Sequence, residues 1–393
     1  MTKYILKRLG QIIFTLFVFQ SLLFIILTAM PGDVTSRMLS DPNIPPAVVE
    51  ETRRGLGLDD PVLIQYVRWW RNFITGDFGV SFSRYPEPVM SIIMERIPRT
   101  LTLFLTATVV QFLLGFALGR ILAWQRGGLL EYGTTLVGVL FYTIFTPWFG
   151  LMMVFIFGAR LRWLPLGKFM TVRLWSEAVI PGLKENASKG NYVFNRMLIT
   201  ATIVVVLWLA LLFLIQKLST SRRRQALTLG TAGLIVGAIA VWIFSGLGPL
   251  AWDIIKHMIL PVVTVALVGF GRTMLTTRQT MLETLREDYI QTARAKGLPE
   301  RVVRDKHAAR NAMLPVFTGL IIGLPFTLSG GIVTETVFSW PGMGLTLLEA
   351  TNSEDVPLVM GVWSFIGVLA LVSHLIADIS YAFLDPRIRY GQE

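Results

Sequence analysis

Eight stretches of this 393-residue chain contain no Asp, Glu, Lys or Arg: Leu9–Met30, Thr100–Gly119, Gly133–Gly158, Met197–Ile215, Gln225–Trp252, His257–Gly271, Ala312–Thr334 and Val356–Ser373. A hydrocarbon core takes about 20 helical residues to cross, because each backbone N–H and C=O must be satisfied within the segment. Seven runs are close to that length or beyond it. His257–Gly271 is short, so it must recruit Trp252–Lys256 on one side and Arg272–Leu275 on the other, with Arg272 snorkelling. The pattern predicts an all-α polytopic membrane protein with eight transmembrane helices. Composition agrees: the chain is 16% charged, against about 25% in soluble domains.

Several chemistries are excluded. With no cysteine there is no disulfide, thiolate nucleophile or Cys-based metal site. The three histidines, His257, His307 and His374, lack ligand spacing, so no metal centre is expected. No G-x-x-x-x-G-K-[ST] phosphate loop, G-x-S-x-G elbow or H-E-x-x-H helix occurs. The net charge of +11 lies in loops beside apolar runs. That distribution reads as topology signals and lipid-headgroup contacts rather than a nucleic-acid footprint.

Lys3, Lys7 and Arg8 precede a first run too long for a signal peptide and without an A-x-A site, so residues 1–30 read as an uncleaved helix. With the N-terminus inside, Met1–Arg8, Trp124–Tyr132, Gln216–Arg224, Thr276–Asn311 and the tail 385–393 are cytoplasmic. The hairpin holding Lys217, Arg222, Arg223 and Arg224 obeys the positive-inside rule. The outward Glu335–Val356 carries Glu335, Glu349, Glu354 and Asp355 without a basic residue. Arg160–Arg196 disagrees, being outward yet strongly basic. Residues 31–99 form a long outward loop in which Val62, Tyr66, Trp69, Trp70 and Phe73 recur at helical spacing and stop at Gly76. Such a helix suits either an interfacial or docking ridge or a small packed cap.

The island Asp288-Tyr-Ile-Gln-Thr-Ala-Arg-Ala-Lys-Gly-Leu-Pro-Glu300 stands apart. Thr280–Lys296 reads as one helix, Gly297 as its left-handed cap, and Pro299 with Glu300 as the start of another. The small Ala293 and Ala295 beside that turn let another protein approach the backbone. From these residues alone, the segment is either a docking element or an ordinary basic loop that enforces topology.

The order Asp288-Tyr289, Thr292-Ala293-Arg294-Ala295-Lys296-Gly297-Leu298, then His307, Arg310-Asn311-Ala312 and Leu314-Pro315 resembles the EAA loop of ABC-importer permease subunits. The match is to the longer form found in the dipeptide/oligopeptide/nickel permease family. Tyr4–Arg8, Pro31-Gly32-Asp33, Leu56–Asp59, Gly76–Gly79, Glu335–Gly344 and Asp385–Tyr390 resemble that family in the same order. The resemblance implies a type I ABC-importer transmembrane fold and a non-catalytic permease subunit for peptides, forming half of a translocation pathway. It implies a second homologous permease subunit, two ATPase subunits that bind ATP and Mg, an extracytoplasmic solute-binding protein, and a bacterial or archaeal cell membrane. No cofactor is expected on this chain. Asp288, Tyr289, Thr292, Ala293, Arg294, Ala295, Lys296, Gly297 and Leu298 would meet an ATPase.

Such permeases usually have six helices, so residues 168–249 read as an insertion into a permease domain spanning 100–384, whose coupling loop is 276–311. Gly319, Gly323, Pro325 and Gly330 permit bending, and with Pro261–Gly271 they either line the pathway or pack helices tightly. Pro147 is expected to bend the third helix. Asp378 is expected to pair with His374 one turn earlier. A self-sufficient secondary transporter or channel is the alternative reading.

Overall fold

A computed structural model describes the chain apart from residues 1, 30–45, 57–58, 125–127, 181, 184–186, 218, 329–330 and 385–393. Among the described residues the fold is all helix, with one isolated bridge between Val80 and Pro88. The predicted Pro31-Gly32-Asp33 and Asp385–Tyr390 blocks lie outside the described residues. The chain forms two compact units, Met1–Phe155 with Pro261–Glu393, and Ile156–Leu260.

The first unit opens with α1 (Thr2–Ala29), α2 (Pro46–Leu56) and α3 (Val62–Thr75). The α3 aromatics turn onto α1: Trp70 stacks on Phe17 at 5.4 Å, and the Tyr66 and Ser21 hydroxyls are 2.7 Å apart. Trp69 is buried with Leu23, Phe24 and Met360. This face packs against α1 and Met360. Gly76 ends α3 at φ 71°.

Next come α4 (Val89–Trp124), α5 (Leu129–Thr143) and α6 (Thr146–Met153), the last continuing as π-helix over Val154–Arg160. α4 begins well before its charge-free run because Arg99 pairs with Glu95 one turn away at 2.8 Å, neutralising both within the helix. Pro147 does not bend a continuous third helix, as its sequence position suggested. Ile144 and Phe145 are extended, and the two halves meet at 106°. The proline instead sits in the first turn of α6, where its missing N–H costs nothing.

In the second unit, α7 (Val172–Glu177) precedes a hairpin of α8 (Lys189–Leu214) and α9 (Thr220–Phe244). Trp208 donates to Thr231 across the hairpin, and Gly230 leaves room for Leu211. Asp253 gathers donors from Thr171 N, Thr171 Oγ1 and Trp175 Nε1, each at 2.8 Å. Several charges of the anomalously basic loop have local partners: Lys189 caps the carbonyls of Trp175 and Ala178, Arg173 pairs with Glu177, and Arg196 lies over Tyr192.

α10 (Gly248–Thr284) absorbs His257–Gly271 together with both flanks that the short run needed. It is followed by α11 (Asp288–Ala295), α12 (Glu300–Val302) continuing as π-helix over Val303–Ala308, α13 (Ala309–Leu328), α14 (Ile332–Val337), α15 (Met343–Asn352) and α16 (Val356–Leu384). Among the described residues, six helices are long and apolar enough to cross a membrane, or up to seven if the bent pair is one span. The expected span Ala312–Thr334 is not one unbroken helix. α13 stops at Leu328, and Thr334 belongs to α14.

Glycines set the spacing of the first unit. A Cβ on Gly115 would lie 2.9 Å from the Phe270 carbonyl, and one on Gly119 would lie 2.5 Å from that of Met274, so α4 and α10 touch backbone to backbone. Gly271 meets the Gly138 carbonyl of α5 in the same way. α16 closes the unit against α1, with Ser364 donating to Gln20 and Asp378 3.4 Å from Arg8. The Arg8–Asp378 ion pair joins α1 to α16 across helices.

Candidate coupling site

The Asp288–Leu298 segment is an elbow with two distinct sides. Thr280–Lys296 is not one helix. Leu285–Glu287 forms a tight turn, with Arg286 and Glu287 donating back to Glu283 and Thr284. Good helix formers occupy that turn, and packing overrides them. Breaking there lets Ile290 and Ala293 enter a buried cluster with Ala123, Met281, Val303, Ala308, Ala309 and Ala312. Asp288 opens α11, where its charge complements the helix dipole. At the far end Gly297 N donates to Arg294 O at 2.9 Å and Leu298 N to Ala293 O at 3.4 Å. This is a Schellman cap, and Gly297 takes the left-handed φ of 71° that it requires.

Asp288, Tyr289, Thr292, Arg294, Ala295, Lys296 and Gly297 are exposed, and Leu298 is half-buried. Ala293 is the exception among the expected contact residues. It is 6% exposed and faces inward, so its small side chain serves the elbow's own packing. Nothing lies within 4 Å of a Cβ built on Gly297, which leaves the cap open.

A charged network holds the elbow from behind. Asn311 Nδ2 donates to the Tyr289 hydroxyl at 2.6 Å, and Arg294 pairs with Glu300 at 3.3 Å. Arg304 grips Asp305 through two hydrogen bonds of 2.7 and 2.9 Å, and Asp305 is also 3.5 Å from Arg120. The hydrogen bond from Arg304 holds the Asp305 carboxyl below its ordinary range and raises the guanidinium in turn.

The Glu335–Gly344 block holds a second polar cluster. Glu335 and Asp355, which belong to the segment expected on the outward side, are both fully buried. Glu335 accepts from Thr100 Oγ1 at 2.8 Å and from Leu345 N at 2.9 Å. Burial pushes its carboxyl up to about 7, against the pull of these hydrogen bonds. Gly342 has no room for a side chain, since a Cβ would lie 2.2 Å from Glu335 Oε1. Asp355 accepts from Ser81 Oγ and Ser83 Oγ and caps α16 through Leu358 N.

The expected pathway residues divide. Gly319 and Gly323 have nothing within 4 Å of a built Cβ. The Pro325 side chain and Gly330 lie outside the described residues. Pro261–Gly271 alternates between buried and half-buried residues, with Gly269 under Gln111 and Gly271 on Gly138.

Residues 187–390 match the model of the binding-protein-dependent transport system inner membrane component family, and residues 1–104 match the model of its N-terminal part. The oligopeptide transport system permease protein AppB of Bacillus subtilis is 31% identical over 390 residues, covering 99% of this chain and 100% of its own. The di/tripeptide transport system permease protein DppB of Pseudomonas aeruginosa is 30% identical, covering 99% of each chain. The dipeptide transport system permease protein DppB of Alkalihalophilus pseudofirmus is 28% identical over 99% of this chain and 100% of its own. Matches of this extent at both ends, joined to a fold of membrane-length helices, decide the assignment: the chain belongs to the binding-protein-dependent transport system inner membrane component family.

Proposed function

We propose that this chain is one membrane half of an ATP-driven peptide importer, and that a cytoplasmic ATPase subunit grips it at the Asp288–Leu298 elbow. The observation that carries the reading is the elbow's sidedness. Ile290 and Ala293 anchor it, while Asp288, Tyr289, Thr292, Arg294, Ala295, Lys296 and Gly297 are presented outward on a rigidly capped turn. Exposed charge and open backbone on a braced support suit a partner that pushes. The names of the relatives, oligopeptide and dipeptide permeases, speak for peptide cargo.

In this reading the elbow and both termini face the cytoplasm, and a second, homologous permease completes the pathway. A solute-binding protein delivers cargo to the other side, and ATP and Mg bind the ATPase pair. Gly319 and Gly323, with Pro325 and Gly330 beyond them, border the pathway. Residues 168–249 are an addition to a six-helix core. Differential affinity of ATP-loaded ATPases for two states of the permease drives the exchange between them.

The test is a Gly297→Asp variant purified with its accompanying subunits. Nothing crowds the position, so the chain inserts, but ATPase stimulation and peptide uptake are lost. Uptake at the wild-type rate would refute the assignment. Uptake into liposomes by the chain alone, with no ATP-hydrolysing partner, would favour a self-sufficient transporter instead.

A further inference from the structure

We propose that α4 carries displacement of the elbow to the Glu335–Gly344 motif, and that Trp124 is the positioning residue through which the elbow holds α4. The proposal rests on the reading of the elbow as an ATPase docking surface.

The elbow is covalently continuous with α10 and α13 only, yet its charged residues converge on the end of α4. The guanidinium of Arg294 lies over the Trp124 ring at 5.8 Å and that of Arg304 at 5.9 Å. Two cations gather on one indole because each also has a carboxylate, Glu300 for Arg294 and Asp305 for Arg304. Asp305 reaches Arg120, one turn back along α4, and Ala123 lies in the same buried cluster as Ile290, Ala293, Val303 and Ala308.

The other end of α4 is fastened as firmly. Arg96 donates to Pro341 O at 3.3 Å, Trp340 Nε1 donates to Arg99 O at 3.3 Å, and Thr100 Oγ1 both accepts from Met343 N and donates to Glu335. Between Thr100 and Trp124 the helix is continuous and proline-free, about 36 Å long at 1.5 Å per residue. The direct covalent route through α13 is a poorer strut. It contains Pro315, Gly319, Gly323 and Pro325, and a Cβ built on either glycine meets nothing within 4 Å. Gly115 and Gly119 seat α4 on α10, so those two helices shift together.

The chain has no cysteine, so a single Thr336→Cys substitution beside Glu335, at an exposed position, gives a unique reporter. The readout is labelling of this chain by a membrane-impermeant maleimide, in proteoliposomes of the complex with its ATPase subunits. Nucleotide-free samples are compared with samples trapped by ATP and vanadate. With Trp124 present, the labelling rate differs between the two conditions. Adding Trp124→Leu shrinks that difference at least about fivefold while the ATPases stay bound, whereas Trp124→Phe, which keeps an aromatic face, preserves most of it. If Trp124→Leu loses the ATPases, Arg304→Gln decides by the same readout. A difference undiminished in the leucine variant, or in Arg304→Gln where that variant decides, overturns the proposal, as does no difference with Trp124 in place. Absence of ATPases from the wild-type complex is a separate failure, of the docking reading itself.

Discussion

At the elbow the polar side chains are exposed, some of them tied to neighbours such as Trp124, Glu300 and Asn311, and Gly297 takes the left-handed turn of a Schellman cap. At the Glu335–Gly344 motif the arrangement is inverted. The carboxylate is fully buried, its hydrogen bonds are internal, and the glycines are small because Glu335 and Thr100 already occupy the space. A run of polar and small residues therefore has two physical meanings in one chain. In one it is an exposed, capped turn, and in the other a joint between helices. Substitutions should separate the two by the property each disturbs.

The largest effect is expected at Gly342. An alanine methyl would stand 2.2 Å from Glu335 Oε1 and 2.5 Å from Thr100 Oγ1, forcing the carboxylate off its donors. Overpacking with loss of buried hydrogen bonds should cost about 3 kcal/mol or more. The measurement is thermal unfolding in detergent followed by tryptophan fluorescence, and an unchanged midpoint would mean the joint is not as tight as described. Glu335→Gln comes next, through pH. Because the buried carboxyl is raised from 4.5 to about 7, the folded chain keeps a proton that the unfolded chain releases. Stability from this group is greatest below about 4.5, falls as pH rises towards 7, and then levels off. The wild type should lose midpoint relative to Glu335→Gln between those values, and parallel curves would contradict the assignment. The smallest effect is expected at Gly297. Alanine there meets no neighbour and pays only for its left-handed backbone, about 1 kcal/mol. A shift as large as that of Gly342→Ala would mean that the elbow, too, is an internal joint.

The apolar runs announced most of the helices, since a charge-free segment of that length has few other fates in a bilayer. The Gly297 cap was equally plain, because glycine followed by Leu-Pro-Glu stops one helix and starts another. Breaks caused by packing were not legible. The turn at Leu285–Glu287 contains no glycine or proline and exists so that Ile290 and Ala293 can reach Ala123. Pro147 suggests a bend in one helix, whereas the chain breaks three residues earlier, at the extended Ile144. In the site, the chemistry of Asp288–Leu298 was read correctly as a turn, but one sequence does not say that Ala293 faces inward. Nor does it say that Glu335 is enclosed, because its donors come from Thr100 and Leu345, far from it or past a turn.

The pairing of α1 with α16 has a consequence for how the chain is made. The partner of Gln20 is Ser364, which the ribosome adds 344 residues later, and the partner of Arg8 is Asp378. During synthesis the first helix can dock α3 early, but its remaining polar groups wait for the final helix. By contrast, α8 and α9 are neighbours in sequence and close on each other through a few residues, so they can enter the bilayer as a ready-made pair. A truncation that removes the last helix should therefore leave the hairpin intact and strand the first helix with its glutamine unanswered.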